Sequence, residues 1–381
     1  MTIDDWLGLR WEDGGQPLIE PPRFSPVVAD PTFLFPEESP DGTWALFAHS
    51  AWGVHRHSSS DGVAWKDHGL VVRNAMRPFI RKLEPGSAED GQARYILLYE
   101  KYPPLALPLT ALPFKRPWRS VLAMQESSDL RMWSTPRTVL EPTLSWMRDA
   151  TLGQAVSNPC LVEDHAAAPP AVPQSDSPAD PAAIAQAWRL YFSAGLAYIE
   201  DCGFNEPKYI GVATGPGPVG PFAPLPDPLL GPGLASGSQV EHGAGPGTGT
   251  AIDQNTCPEL GAGSMKVIRL DDGWLGLQNR IYRDDSGEEG RSRSAIFVLR
   301  SEDGLSWRPA MDLPLIAPAP GNGWKSSHVY ACDCRFREAD GRWYLYFNAR
   351  DGWSISEGRE RIGRVMSIQG PPGCCPQSRV P

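Results

Sequence analysis

The chain is short of several things that would place it in an easily read class. Its 381 residues hold only seven cysteines: Cys160, Cys202, Cys257, Cys332, Cys334, Cys374 and Cys375. The number is odd and no two CxxC pairs occur, which excludes a disulfide framework and a zinc knuckle and leaves buried thiols as the expectation. Lys and Arg form no stripe, and the net charge is -10. A duplex-binding surface concentrates cations to displace counterions, so nucleic acid is not an expected partner; neutral sugars or small polar metabolites fit better. No apolar run approaches eighteen residues, so no membrane helix is expected. The start, Met1 to Trp6, lacks the basic head and apolar run of a secretory leader, and the expected location is the cytoplasm. Histidine is scarce as well. His55 and His57 share one strand face with His49 across a turn, but sequence ties no carboxylate to them, so they read as packing groups. Neither a metal nor a cofactor is expected.

Turn residues, by contrast, are abundant: 38 Gly and 40 Pro, beside 14 Trp, in a chain that is 41% hydrophobic. Enough apolar material for a large core is therefore cut into short pieces. Two phrases recur. Pro17-Leu-Ile-Glu-Pro21 returns as Thr138-Val-Leu-Glu-Pro142, Pro228-Leu-Leu-Gly-Pro232 and Pro314-Leu-Ile-Ala-Pro318, with Gly69-Leu-Val-Val72 a looser copy. Upstream of the later copies stand Ser60-Asp-Gly-Val-Ala-Trp65, Ser128-Asp-Leu-Arg-Met-Trp133 and Ser301-Glu-Asp-Gly-Leu-Ser-Trp307. A repeat built from strand and turn signals at a spacing of roughly 70 residues predicts a propeller of four-stranded blades. Counting alternating apolar segments gives five blades, opening at Val27, Ala75, Asn158, Ser264 and His328. The last has no outer strand of its own, and the orphan segment 17–21 is expected to supply it, closing the ring. Residues 1–370 then form one all-β, five-bladed β-propeller domain. Residues 371–381, rich in Pro, Gly and Cys, are expected to form a disordered tail. Two β-sandwiches are the alternative, although sandwiches do not predict five similar outer strands.

In such a blade the start of the innermost strand and the hairpin between the second and third strands reach the same face. That rule gathers Asp30 and His49 from blade one and Arg77 and Glu100 from blade two. It adds Asn158 with the loop containing Asp201 and Glu206, then Ser264, Asn279 and Arg280, and finally His328, Asn348 and Arg350. So many ionisable groups around one opening are costly unless they serve a ligand or one another. Trp52, Trp146, Trp324 and Trp353 fall in loops where an indole could stack on a sugar ring. Trp65, Trp133 and Trp307 occupy fixed blade positions, which suits packing between blades.

Val28-Ala-Asp-Pro-Thr-Phe-Leu-Phe35, the Ser-x-Asp-Gly-x-x-Trp phrases and the blade count resemble the five-bladed glycoside hydrolases, the arabinanase, xylosidase and invertase superfamily. The resemblance implies a base or nucleophile at Asp30. It implies a second Asp that tunes pKa, for which Arg148-Asp149-Ala150 is similar to the family phrase; if Asn158 holds that position instead, the carboxylate is missing. It implies a general acid at Glu206, before Pro207, or at Glu259 in Cys257-Pro258-Glu259. Glycosidic cleavage asks one carboxyl to protonate the leaving oxygen and another to attack or to activate water, and a third negative charge raises the donor's pKa. His49, Arg77, Glu100, Asn158, Arg280, His328 and Arg350 would hold substrate. The expected activity is hydrolysis of a small furanoside or pyranoside. The alternatives are a sugar phosphorylase using Arg77, Arg280, Lys325 and Arg350, an enzyme tailoring a glycosylated metabolite, and a carbohydrate-binding propeller without catalysis.

Overall fold

A computed structural model of the chain describes residues 1–83, 94–104, 106–109, 117–164, 188–234, 258–284, 290–319, 321, 323–354 and 357–368. The tail at 371–381 lies outside the described residues. The strands form five antiparallel four-stranded meanders, each running outward from an inner strand. Blade one is Ala29–Leu34, Trp44–Ser50, Gly53–Ser59 and Lys66–Arg73; blade two is Ala75–Leu83, Arg94–Lys101, Val121–Ser127 and Arg137–Leu140. Blade three is Val156–Glu163, Trp188–Ile199, Phe204–Gly215 and Ala223–Pro224; blade four is Glu259–Leu270, Gly273–Asp284, Arg291–Ser301 and Arg308–Pro309. Blade five takes His328–Arg337, Arg342–Arg350 and Glu360–Ser367 from the C-terminal region and Trp11–Asp13 from the N-terminal region. The fold is a five-bladed β-propeller whose N-terminal strand closes the ring.

The closure differs from the sequence expectation in one detail. The paired outer strand is Trp11–Asp13, with Trp11 opposite Ser367. The segment 17–21 contributes one bridge, Ile19 to Ile362. The same bridge recurs at two copies of the phrase, as Leu230 to Ile210 and Ile316 to Ile296, whereas the copies in blades one and two lie in the paired strands Lys66–Arg73 and Arg137–Leu140. Where the apolar residue is held between prolines, it therefore touches the third strand once and leaves. Proline supplies no N–H for a longer ladder, which keeps the contact that short.

The second phrase is a turn. Ser59 and Asp61 accept the N–H groups of Gly62, Val63 and Ala64, and Ser127 with Asp129, and Ser301 with Asp303, repeat the pattern. Those backbone donors favour the ionised form, and for Asp61 they are the largest influence, holding its carboxyl down to about 2. The residue after the Asp has positive φ, 71° at Gly62 and Gly304 and 59° at Leu130. Glycine is the natural choice there; blade two accepts a leucine because its side chain is fully buried between blades one and two.

The turn delivers its tryptophan to the preceding blade. Trp65 meets Tyr346 at 5.7 Å, Trp133 meets Phe47 at 5.9 Å and Trp307 meets Tyr191 at 6.2 Å, all near perpendicular. Tyr346 and Tyr191 also donate their hydroxyls to Gly62 and Gly304. The spaces between blades are thus the core, as the recurring tryptophans suggest. Trp307→Ala is expected to cost about 3–5 kcal/mol, read as a lower denaturant midpoint at unchanged slope.

Candidate functional site

Each inner strand breaks register near its start, at Ala29/Thr32, Met76/Phe79, Ser157/Cys160, Gly261/Ser264 and Val329/Cys332. A bulge re-aims the residue it contains. In blades one to three that residue precedes proline and sits at positive φ: Asp30 at 52°, Arg77 at 55° and Asn158 at 47°. Blade four places Gly263 there, at 61°. Non-glycine residues at such angles are strained, and three at equivalent positions around one axis mark a site that the surrounding fold holds in place. Tyr330 lies in the corresponding break of blade five.

Asp30 and Glu206 share this axial cluster. Asp30 Oδ2 lies 3.1 Å from His49 Nδ1, and the Asp30 N–H donates to Asn348 Oδ1 at 3.1 Å. Asn348 Nδ2 in turn donates to Glu360 Oε2 at 3.0 Å, and Arg350 Nη1 to Glu360 Oε1 at 3.0 Å. On the other side Arg77 Nη1 binds Glu100 Oε2 at 2.7 Å, while Arg77 Nη2 is 3.8 Å from Glu206 Oε2. Trp118 Nε1 donates to the second Glu100 oxygen at 3.1 Å. Glu100 is sealed at 0% side-chain exposure, but Asp30 keeps 15% and Glu206 11%. The first is a support for Arg77; the other two retain access.

The cluster puts Asp30 and Glu206 in opposite states. Burial pushes Asp30 up, but the His49 hydrogen bond and charge, with Arg77 and Lys266, outweigh it and hold the carboxyl below the ordinary range. Glu206 has only the long contact to Arg77. Burial dominates, the charges of Glu360 and Asp30 add to it, and the carboxyl is pushed up to about 8. Glu360 is also raised, by burial first, with Arg350 and His49 opposing. Near neutral pH the site therefore holds an anionic Asp30 beside a protonated Glu206.

Of the other residues singled out from sequence, His49, Arg77, Glu100 and Arg350 fall within this network. Asn158 occupies the matching bulge in blade three, its side chain near Ser157 Oγ at 3.4 Å. His328 is buried beside Tyr330, the two rings parallel at 5.3 Å, and its Nε2 is 3.6 Å from Cys202 Sγ. Burial, assisted by Arg350, drives its pKa down to about 3, so it is neutral. The structure does not bring Asp149 to Asp30. Asp149 is exposed on the short strand Arg148–Asp149, where its carboxylate accepts the N–H groups of Thr151 and Leu152. Glu259 is raised by burial, and its charged neighbour is Arg280. Arg280 itself lies over the Phe297 ring at 4.2 Å. Lys325 is paired with Asp13. Cys160, Cys202, Cys332 and Cys334 are free and buried, whereas Cys257, Cys374 and Cys375 lie outside the described residues.

Three participants escape the sequence rules. Glu360 faces Arg350 across the hairpin of blade five, on the third strand, where the sequence reading of that blade singled out no residue. Tyr330 shares the register position of Asp30 but has neither a charge nor a following proline to mark it. Lys266, buried with Nζ donating to the Pro159 carbonyl at 2.9 Å, has no sequence signal beyond being a lysine in an apolar strand.

Ser50, His55 and Asp67 form a second arrangement, with Ser50 Oγ 2.9 Å from His55 Nε2 and His55 Nδ1 3.1 Å from Asp67. The spacing is that of a nucleophile relay. Its serine is fully buried, and Ser50 Oγ accepts the Trp52 N–H at 3.1 Å. The relay thus tethers the hairpin that carries both His49 and Trp52, the latter 46% exposed.

No family profile and no curated protein matches the chain. Solved structures do. An N-acetylgalactosamine deacetylase from F. plautii, in complex with blood group B trisaccharide, is 13% identical with a TM-score of 0.57, over 95% of this chain and 96% of that one. A protein described as a glycoside hydrolase gives 11% identity and a TM-score of 0.59 over the full length of both chains. A thermostable family-43 glycoside hydrolase gives 12% and 0.52, over 92% of this chain and 96% of its own. At these identities the likeness establishes the five-bladed propeller fold.

Proposed function

We propose that the protein is a glycoside hydrolase acting on a neutral furanoside or pyranoside in the axial site. The observation that carries this reading is the meeting of Asp30 and Glu206 in one axial cluster, with Asp30 kept ionised and Glu206 kept protonated. Asp30 is the base or nucleophile. Glu206 donates its proton to the leaving oxygen as the glycosidic C–O bond breaks, its electron pair passing to that oxygen. Glu360 takes the part of the third carboxyl, since its charge opposes ionisation of Glu206.

The arginines of the cluster are bound to carboxylates, Arg77 to Glu100 and Arg350 to Glu360, which favours a neutral substrate over an anionic one. The cations that phosphorolysis would recruit are already engaged. Arg77 and Arg350 bind carboxylates, Arg280 lies on Phe297 and Lys325 is paired with Asp13. Hydrolysis therefore fits the cluster better than attack by phosphate.

The test is a panel of aryl furanosides and pyranosides, with and without phosphate. Turnover that ignores phosphate is expected; turnover only in its presence would make the protein a phosphorylase. Trp52 is the rim residue best placed to stack on the sugar. Trp52→Ala is expected to raise KM about 3- to 10-fold while leaving the melting temperature unchanged.

A further inference from the structure

Glu100 is sealed from solvent, so the reaction above has no direct use for its carboxylate. It stands opposite Met76 in the ladder of blade two, beside Arg77. Arg77 Nη1 donates to Glu100 Oε2 at 2.7 Å. The other oxygen accepts Trp118 Nε1 at 3.1 Å, from the short strand Trp118–Arg119. Trp118 packs in turn on Tyr102, the ring centres 5.2 Å apart. Both oxygens of one buried carboxylate are thus occupied, one by a guanidinium and one by an indole that a second ring holds.

Arg77 lies between two carboxyls. A guanidinium is a rigid planar fork, so fixing Nη1 also fixes the direction of Nη2. Nη2 ends 3.8 Å from Glu206 Oε2, too far for a hydrogen bond. The backbone adds to the restraint, since Arg77 is held at φ 55° ahead of Pro78. An arginine released from Glu100 would close that gap and make a charge-assisted hydrogen bond to Glu206. A carboxyl bound in that way keeps its negative charge and has no proton to give.

We infer that Glu100 is a positioning residue for the acid, holding Arg77 back from Glu206 and balancing its charge so that Glu206 keeps its proton. It acts through Arg77 and touches neither substrate nor reacting atoms. The inference rests on Glu206 being the acid of the function proposed here. Two carboxyls from neighbouring blades then divide the work: one holds the cation, the other the proton.

The other charged groups facing Glu206 are Asp30 from blade one and Glu360 and Arg350 from blade five. Tyr330 and Cys202 face it as neutral groups, both pushed up by burial. The adjoining strand of blade four carries Glu259, whose charged neighbour is Arg280, and Lys266, which donates to the Pro159 carbonyl. Arg77 faces Asp30 as well as Glu100 and Glu206. Tyr102, beside Glu100, is a neutral phenol. Arg350 is bound to Glu360 at 3.0 Å, which leaves Arg77 as the cation whose distance from the acid Glu100 governs.

The test is Glu100→Gln, assayed against pH on an alkyl glycoside that the wild type turns over and Asp30→Asn does not. The amide offers one oxygen to two donors, so either Arg77 or Trp118 loses its acceptor. The basic limb of the profile, expected near pH 8 in the wild type, should move down by about one to three units. Turnover at pH 7 should fall about 2- to 100-fold and recover as the pH is lowered. A loss of packing alone would lower the rate alike at every pH. Trp118→Phe removes one hydrogen bond and keeps the charge. It should move the limb the same way by less, and it reads the same effect if Glu100→Gln does not fold. In an Arg77→Gln background the added Glu100→Gln should move the limb little, because the guanidinium it acts through is gone. An unmoved limb in both Glu100→Gln and Trp118→Phe would overturn the assignment while leaving the hydrolase reading intact. So would a downward shift that persists undiminished without Arg77. A wild type silent on every glycoside would remove the proposed function and this inference with it.

Discussion

Asp30→Asn is expected to abolish most turnover, by roughly 100- to 10,000-fold, in a protein that still folds. The substitution is unusually clean here. Asp30 sits at φ 52°, a conformation Asn accepts as readily as Asp, so the backbone has no reason to move. Its N–H continues to donate to Asn348, and the new amide can still accept from His49, 3.1 Å away. What is lost is the negative charge, and with it both nucleophilicity and basicity. Initial rates on the best glycoside, beside a melting curve, separate this from unfolding. A variant with wild-type rates would show that the axial carboxylate does no chemistry and would favour a binding propeller. A modest loss of stability at neutral pH is consistent with the expected result. The Asp30 carboxyl is held below its ordinary value, so its ion contributes stability above that value which disappears as pH falls through the lowered one.

The blade count and the position of Asp30 were legible because both follow from local chemistry. Repeated turn phrases reveal a repeated fold, and Asp30-Pro31 opens a strand whose pattern is unambiguous. The closing strand was misplaced because Pro17-Leu-Ile-Glu-Pro21 carries the stronger repeat signal, while Trp11-Glu-Asp13, which forms the ladder, has no copy elsewhere. Asp149 illustrates a different limit. Its surrounding phrase suits the expected role, yet three short strands, Trp118–Arg119, Arg148–Asp149 and Gly153–Gln154, form a small sheet of their own and turn it to solvent. Glu360 escaped notice since nothing in Gly358-Arg-Glu360 signals burial. The pairing with Arg350, ten residues earlier and at 3.0 Å, and the hydrogen bond from Asn348 draw its carboxylate inward. Motifs expose what neighbours in the chain decide; a charge whose place depends on a distant strand becomes visible only in three dimensions.

Glu206 is where that distinction has its largest consequence, because its chemistry depends on charges supplied by other blades. Glu206→Gln is expected to lose at least about 100-fold in kcat on glycosides with alkyl leaving groups, which need a proton as the bond breaks. On aryl glycosides whose phenolate leaves unaided the loss should be small. A variant equally impaired on both would remove Glu206 from the acid role. The pH profile provides a second measurement with a definite sign. The acid must be protonated to work, so wild-type activity on alkyl glycosides should fall as pH rises past about 8. On activated aryl glycosides the variant should show no such fall. Stability is linked to the same proton. Folded Glu206 holds it up to about 8, whereas the unfolded chain releases it near 4.5, so the folded state binds more protons between those values. Its contribution is full below the lower value and is lost as pH rises through the upper one, giving a stability that declines across the window. The amide introduced by Glu206→Gln cannot titrate, and denaturant midpoints of the variant should decline less steeply with pH over that interval. A wild type and variant with parallel profiles would mean that Glu206 is already ionised at neutral pH, leaving the cluster without its acid.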